Sequence, residues 1–373
     1  MKTIDKSNLD KIIGILKKDG YTVIGPIVKD GAIVYDEIES INDLPVGWGD
    51  EQEAGSYKLV KRNDDSLFGY VVGPQSWKKF LFPQRMKLWE AGREGRGFKI
   101  NHSDEPVPKY AFLGVRSCEL KAIFIQDKVF NNDMYTDSYY NNVRNNIFII
   151  SVNCTQSAST CFCVSMKSGP KAKDGFDISL TEVINKEGHY FVLDEASEKG
   201  KELTEMLDAQ TATEQQIKAA DEAIASAELS MKRSMNTAGI KELLYHNHDH
   251  PNWAEIATRC LSCANCTLVC PTCFCHTMED TTDLTGDHTE RWRRWDSCFS
   301  LDYSKVAGGS FRTSAKARYR QWMTHKLASW IDQFGTSGCV GCGRCISWCP
   351  VGIDITSEVE KIRNSPKNKI INQ

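Results

Sequence analysis

Two short cysteine runs constrain this chain more than any other feature. "CLSCANCTLVCP" spans Cys260–Pro271 and "CVGCGRCISWCP" spans Cys339–Pro350. Both have the spacing C-x2-C-x2-C-x3-C, and proline follows at once. They are an internal repeat of one motif within 373 residues. The chain carries fifteen cysteines, an odd number that fits poorly with a fully paired disulfide set. Its beginning, "MKTIDKSNLDKII", lacks the charged, then apolar, then small pattern of a secretory signal. The expectation is a cytoplasmic protein, where so many thiols point to metal or catalysis.

The spacing suits a cubane cluster. C-x2-C-x2-C places three thiols along a tight loop around one [4Fe–4S] cube. In two-cluster ferredoxins the fourth cysteine of each run ligates the other cluster. The predicted assignment is therefore crossed. Cluster A takes Cys260, Cys263, Cys266 and Cys349, and cluster B takes Cys339, Cys342, Cys345 and Cys270. Zinc sites use paired CxxC knuckles, not two four-cysteine runs ending in proline. Gly341 and Gly343 are expected to let backbone amides approach cluster sulfurs.

Seven cysteines remain. "TCFC" occurs at Thr160–Cys163 and again at Thr272–Cys275. Cys118, Cys154, Cys161 and Cys163 supply the four thiols a third cubane needs. Cys118 and Cys154 both follow strand-like segments, and open α/β sheets bind ligands beyond the carboxyl ends of their strands. Cys273, Cys275 and Cys298 stay unassigned, although any one of them could replace a member of that third set.

The remaining sequence predicts an α+β chain. A mixed α/β domain (1–200) with the candidate third cluster is followed by a helical connector (201–255). A ferredoxin-like two-[4Fe–4S] domain (256–373) follows, with an insertion at about 276–335 between its cluster motifs. "NLDKIIGILKKDG" reads as a helix stopped at Gly20, and "YTVIGPIV", "GAIVYDEI", "FGYVVGP", "FDISLTEV" and "HYFVLDEA" read as strands. Residues 199–245, rich in Ala, Glu and Lys, read as exposed helices leading away from the first domain. "HNHDHPNW" reads as a solvated helix end. "ERWRRWDSCF" and "ARYRQWMTHK" read as a packed insertion with paired arginines.

Several functions are excluded or unsupported. The net charge of −3 gives no support for nucleic-acid binding. No apolar run approaches the ~20 residues of a membrane span. No G-x-G-x-x-G follows a strand, and there is no Walker A motif. The chain carries the means to move electrons but none to make or break substrate bonds, and no catalytic residue is predicted.

With these motifs in hand, the chain resembles the β, or electron-transfer, subunit of soluble NAD(P)-linked nickel–iron hydrogenases (sulfhydrogenases). "RCLSCANCTLVCPTCFC", "ERWRRWDSCFS", "RYRQWMTHKLASWIDQFG" and "GCVGCGRCISWCPVGIDIT" carry the likeness, with "GVRSCELKAI" and "TCFCVSMKSGP" upstream. The A subunit of anaerobic sulfite reductase is a more distant match. The resemblance implies an oxidoreductase complex with three partners: a nickel–iron subunit, a small iron–sulfur subunit and a flavin/NAD(P) subunit. Two rival readings keep the clusters: the electron-transfer subunit of a sulfite or polysulfide reductase, and a freestanding iron–sulfur protein.

Overall fold

Eight strands drawn from the first 211 residues build one mixed sheet in the computed structural model, which describes residues 1–102, 106–132 and 134–365. Four parallel strands form its centre: Thr22–Lys29, Tyr110–Val115, Phe148–Val152 and Ile178–Asn185. Ala32–Glu37 closes one side in antiparallel register. Gly188–Glu195, Lys2–Asp5 and the two-residue strand Gln210–Thr211 extend the other. Every residue of Phe148–Val152 is buried, as expected for a parallel strand covered on both faces. Helix Asn8–Lys18 packs Leu9, Ile12, Ile13 and Leu16 on one face. Gly20, at φ +80°, ends that helix segment as read. Helix Ser117–Phe130 covers the other face through Leu120, Ile123 and Phe130.

Three segments differ from their sequence reading. "FGYVVGP" is not a strand, because its backbone groups bond to side chains instead. Arg116 donates to the carbonyls of Phe68 and Tyr70 at 2.8 Å each, and Asp50 accepts from the Val71 N–H at 2.5 Å. The Ala/Glu/Lys-rich segment does not lead away. Gln210–Thr211 adds an edge strand, and helix Glu214–Leu229 lays Ala220 against Val183, Tyr190 and Val192 of the sheet. The histidine stretch is only partly solvated. His246 and His248 are exposed, whereas His250 is buried and its Nδ1 accepts from the Asn252 N–H at 3.1 Å.

The segment between the two cysteine runs is tied to the amino-terminal half. Its hairpin, His276–Thr282 and His288–Trp295, pairs with Arg85–Glu94, which pairs in turn with Gly97–His102. The result is a four-stranded antiparallel sheet shared between distant parts of the chain. The arginines of "ERWRRW" are partnered as expected. Arg293 forms a buried ion pair with Asp137, and Arg291 pairs with Asp280 at 2.6 Å. One apolar core runs from helix Ser117–Phe130 into Trp330, Val340 and Cys342. No helix among the described residues is long and apolar enough to cross a membrane.

Candidate metal centres

The two cysteine runs fold into the same loop. Ser262 and Gly341, each two residues after the first cysteine, take positive φ (52° and 66°). Ala264 and Gly343, two residues further on, do the same (68° and 78°). Each loop then enters a one-turn helix, Asn265–Leu268 or Arg344–Ser347. This curl turns an N–H toward the first sulfur. Ser262 N–H donates to Cys260 Sγ at 3.4 Å and Gly341 N–H to Cys339 Sγ at 3.5 Å. Ile353 N–H donates to Cys349 Sγ at 3.3 Å.

The fourth cysteine of each run lies among the other run's thiols. Burial pushes the Cys260 thiol up, and Cys349 and Cys263 add to it. Cys266 is raised by burial and then by Cys260, Cys349 and Cys263. Cys260, Cys263, Cys266, Cys345 and Cys349 line one apolar pocket with Trp322. On the other side, burial pushes Cys339 up to about 12, with Cys342 and Cys270 adding to it. Cys345 responds to burial, then to Cys339, Cys342 and Cys270.

The amino-terminal thiols form a third group. Cys118 sits in the first turn of helix Ser117–Phe130, and Cys154 follows strand Phe148–Val152 by two residues. Cys161 and Cys163 lie in the loop after it. Burial raises Cys163 well above its usual range, with Cys161 and Cys154 adding to the effect. Cys118 rises by burial and then through Cys342 and Cys163, so this group adjoins the second run.

The contact between this loop and the second run explains its glycines. Phe162 N–H donates to Gly341 O at 2.9 Å, and Ser168 Oγ to Val340 O at 2.5 Å. A Cβ on Gly341 would stand 2.6 Å from Phe162 O, and one on Gly343 2.6 Å from Thr160 O. Both glycines therefore admit the "TCFC" backbone, a role the motif alone did not show, and Gly341 also turns its amide to sulfur.

Two buried lysines escaped sequence reading. Lys326, in a π-helical turn at His325–Ser329, donates to Cys270 Sγ at 3.2 Å, Thr272 Oγ1 at 3.1 Å and Gly338 O at 3.0 Å. Lys78 donates to Cys273 O at 3.0 Å and lies 3.8 Å from the Trp295 ring centroid. Burial brings Lys78 down to about 8. Nothing in "SWKKF" or "THKLASW" signals this, since a lysine is ordinarily solvated.

Of the unassigned thiols, Cys273 neighbours Cys270, and Cys275 neighbours Cys298 and Tyr303. Among the described residues, the one grouping of three metal-type side chains with ligand atoms within 4.8 Å is Glu90, His288 and Glu290. A single zinc ion draws thiolate sulfurs to roughly 3.8 Å of one another. Among the described residues no three cysteine sulfurs lie within 4.8 Å of one another, and all fifteen cysteines are free thiols. Cys260, Cys263, Cys266 and Cys349, gathered on one apolar pocket, fit a cubane in donor type and number.

The family described as "4Fe-4S dicluster domain" matches residues 259–353. The chain is 34% identical over 350 residues to sulfhydrogenase 2 subunit beta of Pyrococcus furiosus, covering 91% of this chain and 92% of that protein. No solved structure matches it.

Proposed function

The chain belongs to the sulfhydrogenase β-subunit family, and from that premise we propose that it is the electron-transfer subunit of a cytoplasmic NAD(P)-linked nickel–iron hydrogenase. Its partners are a nickel–iron subunit, a small iron–sulfur subunit and a flavin/NAD(P) subunit. Cys260, Cys263, Cys266 and Cys349 hold one [4Fe–4S] cluster, and Cys339, Cys342, Cys345 and Cys270 hold a second. Cys118, Cys154, Cys161 and Cys163 hold a third. What supports this reading is that Cys349 neighbours Cys260 and Cys266 while Cys270 neighbours Cys339 and Cys345.

Bound cubanes supply one-electron redox chemistry at potentials set by hydrogen bonds, charge and burial. The chain provides each lever. Ser262, Gly341 and Ile353 N–H groups donate to cysteine sulfurs, and Lys326 places a buried cation on Cys270. Phe299, Tyr319 and Trp322 line the apolar pocket beside Cys260, Cys266 and Cys349, while Cys263 is exposed.

Anaerobic iron and acid-labile sulfide counts on the isolated chain test the cluster number. About twelve irons per chain support three cubanes, and about eight remove the third. The hydrogenase assignment is tested in the native complex. Nickel and hydrogen-dependent dye reduction are expected to copurify with this chain, and a complex lacking both refutes the assignment.

A further inference from the structure

Helix Ala315–Thr324 lies between the two cysteine runs, and Ser314 caps it by accepting from the Ala317 N–H at 3.2 Å. Tyr319 and Trp322 stand three residues apart on this helix, so they share one face. Arg318 braces the region by donating to Phe299 O at 3.0 Å and Arg312 O at 2.9 Å. The rings of Phe299, Tyr319 and Trp322 form a trio with centroids 5.2, 6.1 and 6.2 Å apart. All three line the pocket that Cys260, Cys263, Cys266 and Cys349 also line.

Tyr319 and Trp322 are buried, at 3% and 4% exposure. Yet Tyr319 Oη and Trp322 Nε1 have no hydrogen-bond partner among the described residues. Other buried tryptophans differ. Trp77 Nε1 donates to Glu119 at 3.1 Å and Trp253 Nε1 to Asn247 O at 2.8 Å. A buried donor without an acceptor is costly, and an indole N–H can only donate. The other side chains lining this pocket are apolar or thiols, except Asn265, whose Nδ2 donates to Trp348 O at 3.2 Å. Glu358, on helix Ile355–Arg363, is engaged by Asn252 Nδ2 at 2.9 Å and Arg259 Nη2 at 2.7 Å. Sulfur is therefore the side-chain acceptor at hand.

We propose, resting on the cubane assignment above, that Tyr319 and Trp322 are positioning residues for the cluster of Cys260, Cys263, Cys266 and Cys349, donating hydrogen bonds from Tyr319 O–H and Trp322 Nε1–H to its sulfurs. Such bonds favour the more anionic, reduced form, so both residues raise the potential. Lys326 lies four residues beyond Trp322 and donates to Cys270 Sγ at 3.2 Å. Tyr319, Trp322 and Lys326 thus follow at i, i+3 and i+7, and one helical stripe serves both clusters. Trp348 Nε1 is also unpaired, but its ring packs against Tyr57 with centroids 5.1 Å apart and does not line the pocket.

The test uses the full chain with its iron in place, kept anaerobic and followed by EPR-monitored redox titration. Tyr319→Phe deletes one oxygen, and Trp322→Phe deletes the indole N–H. Each is expected to lower the midpoint potential of one cluster at unchanged iron content. The signal that moves is expected to differ from the one that Lys326→Met moves, and the double variant is expected to shift it further. Pulsed EPR of the reduced chain, grown on tryptophan with heavy nitrogen in the indole, gives a second readout. An indole nitrogen coupling is expected in the unsubstituted chain and is expected to vanish in Trp322→Phe. Aromatics that serve packing alone would leave both the potentials and the coupling where they are. An unchanged potential in either variant removes that residue from the role. No coupling in the unsubstituted chain overturns the proposal whether or not the variants assemble. The cubane assignment fails separately, on an iron count in the unsubstituted chain well below about eight.

Discussion

Glu119 and Arg344 lie 225 residues apart in the chain and meet as an ion pair at 2.5 Å, with neither side chain reached by solvent. Glu119 follows Cys118, and Arg344 sits between Cys342 and Cys345, its guanidinium charge opposing the burial that pushes the Cys342 thiol up. Glu119 also accepts from Tyr35 Oη at 2.9 Å and Trp77 Nε1 at 3.1 Å, while Arg344 Nε donates to Gly73 O at 2.9 Å. The pair therefore fixes the amino-terminal thiols against the second cysteine run. Removing one partner leaves a buried charge, so Arg344→Met is expected to cost about 3–5 kcal/mol. Adding Glu119→Gln to Arg344→Met should recover part of that loss. Denaturant unfolding of the two single variants and the double variant measures the coupling, and additive losses would refute it.

The glycines of the second run make a separate prediction. Gly343→Ala must both hold φ near +78° and displace Thr160 O from 2.6 Å. Backbone strain alone is worth about 1–2 kcal/mol, and the steric conflict adds to it. The matching residue of the first run, Ala264, already holds φ +68°. Ala264→Gly is expected to stabilise by up to about 1 kcal/mol. Opposite shifts in melting temperature for these two substitutions, with lower iron content only for Gly343→Ala, are the expected result.

The legibility of the chain follows the range of the forces involved. The cysteine runs were readable because a cubane dictates ligand spacing within one loop. The sheet strands were readable because apolar runs such as Phe148–Val152 report burial directly. "FGYVVGP" misled because an apolar segment can satisfy its backbone through Arg116 and Asp50 rather than a neighbouring strand. Helix Glu214–Leu229 looked solvated because Ala220, Ile224 and Ala227 are its only buried positions. Lys326, Lys78 and the Glu119–Arg344 pair depend on contacts across tens or hundreds of residues, and no local pattern encodes them.

Lys326 is a buried charge that donates to a proposed ligand sulfur, Cys270 Sγ, at 3.2 Å. A cation there favours the more anionic, reduced form of any cluster held by Cys270. Lys326→Met keeps much of the side-chain volume and deletes the charge. The expected outcome is a lower midpoint potential for one cluster in an EPR-monitored titration, with the others unmoved. Thr272 Oγ1 and Gly338 O lose a donor in the same substitution. A stability loss of about 1–3 kcal/mol is therefore expected alongside. An unchanged set of potentials would remove Lys326 from the tuning role.

Acid sensitivity should trace to Glu182, on strand Ile178–Asn185. Its buried carboxylate accepts from Leu67 N–H at 2.7 Å, Phe68 N–H at 2.9 Å and Ser66 Oγ at 2.7 Å, and it contacts His189 Nε2 at 2.8 Å. Burial alone would raise this group. The bonds from His189, Leu67, Ser66 and Phe68 outweigh burial and hold it below its ordinary value of 4.5. A folded-state value below the unfolded one stabilises the protein above the unfolded value, and that stability is lost as pH falls through the folded one. Glu182→Gln is expected to cost about 2–3 kcal/mol at neutral pH, where the charge-assisted bonds are lost. The gap should narrow once pH drops below about 4.3, because the unfolded carboxyl then takes up a proton that the folded one still refuses. Urea unfolding of both proteins from pH 7 to pH 3 measures the gap directly. A gap independent of pH would show that Glu182 acts through shape rather than charge.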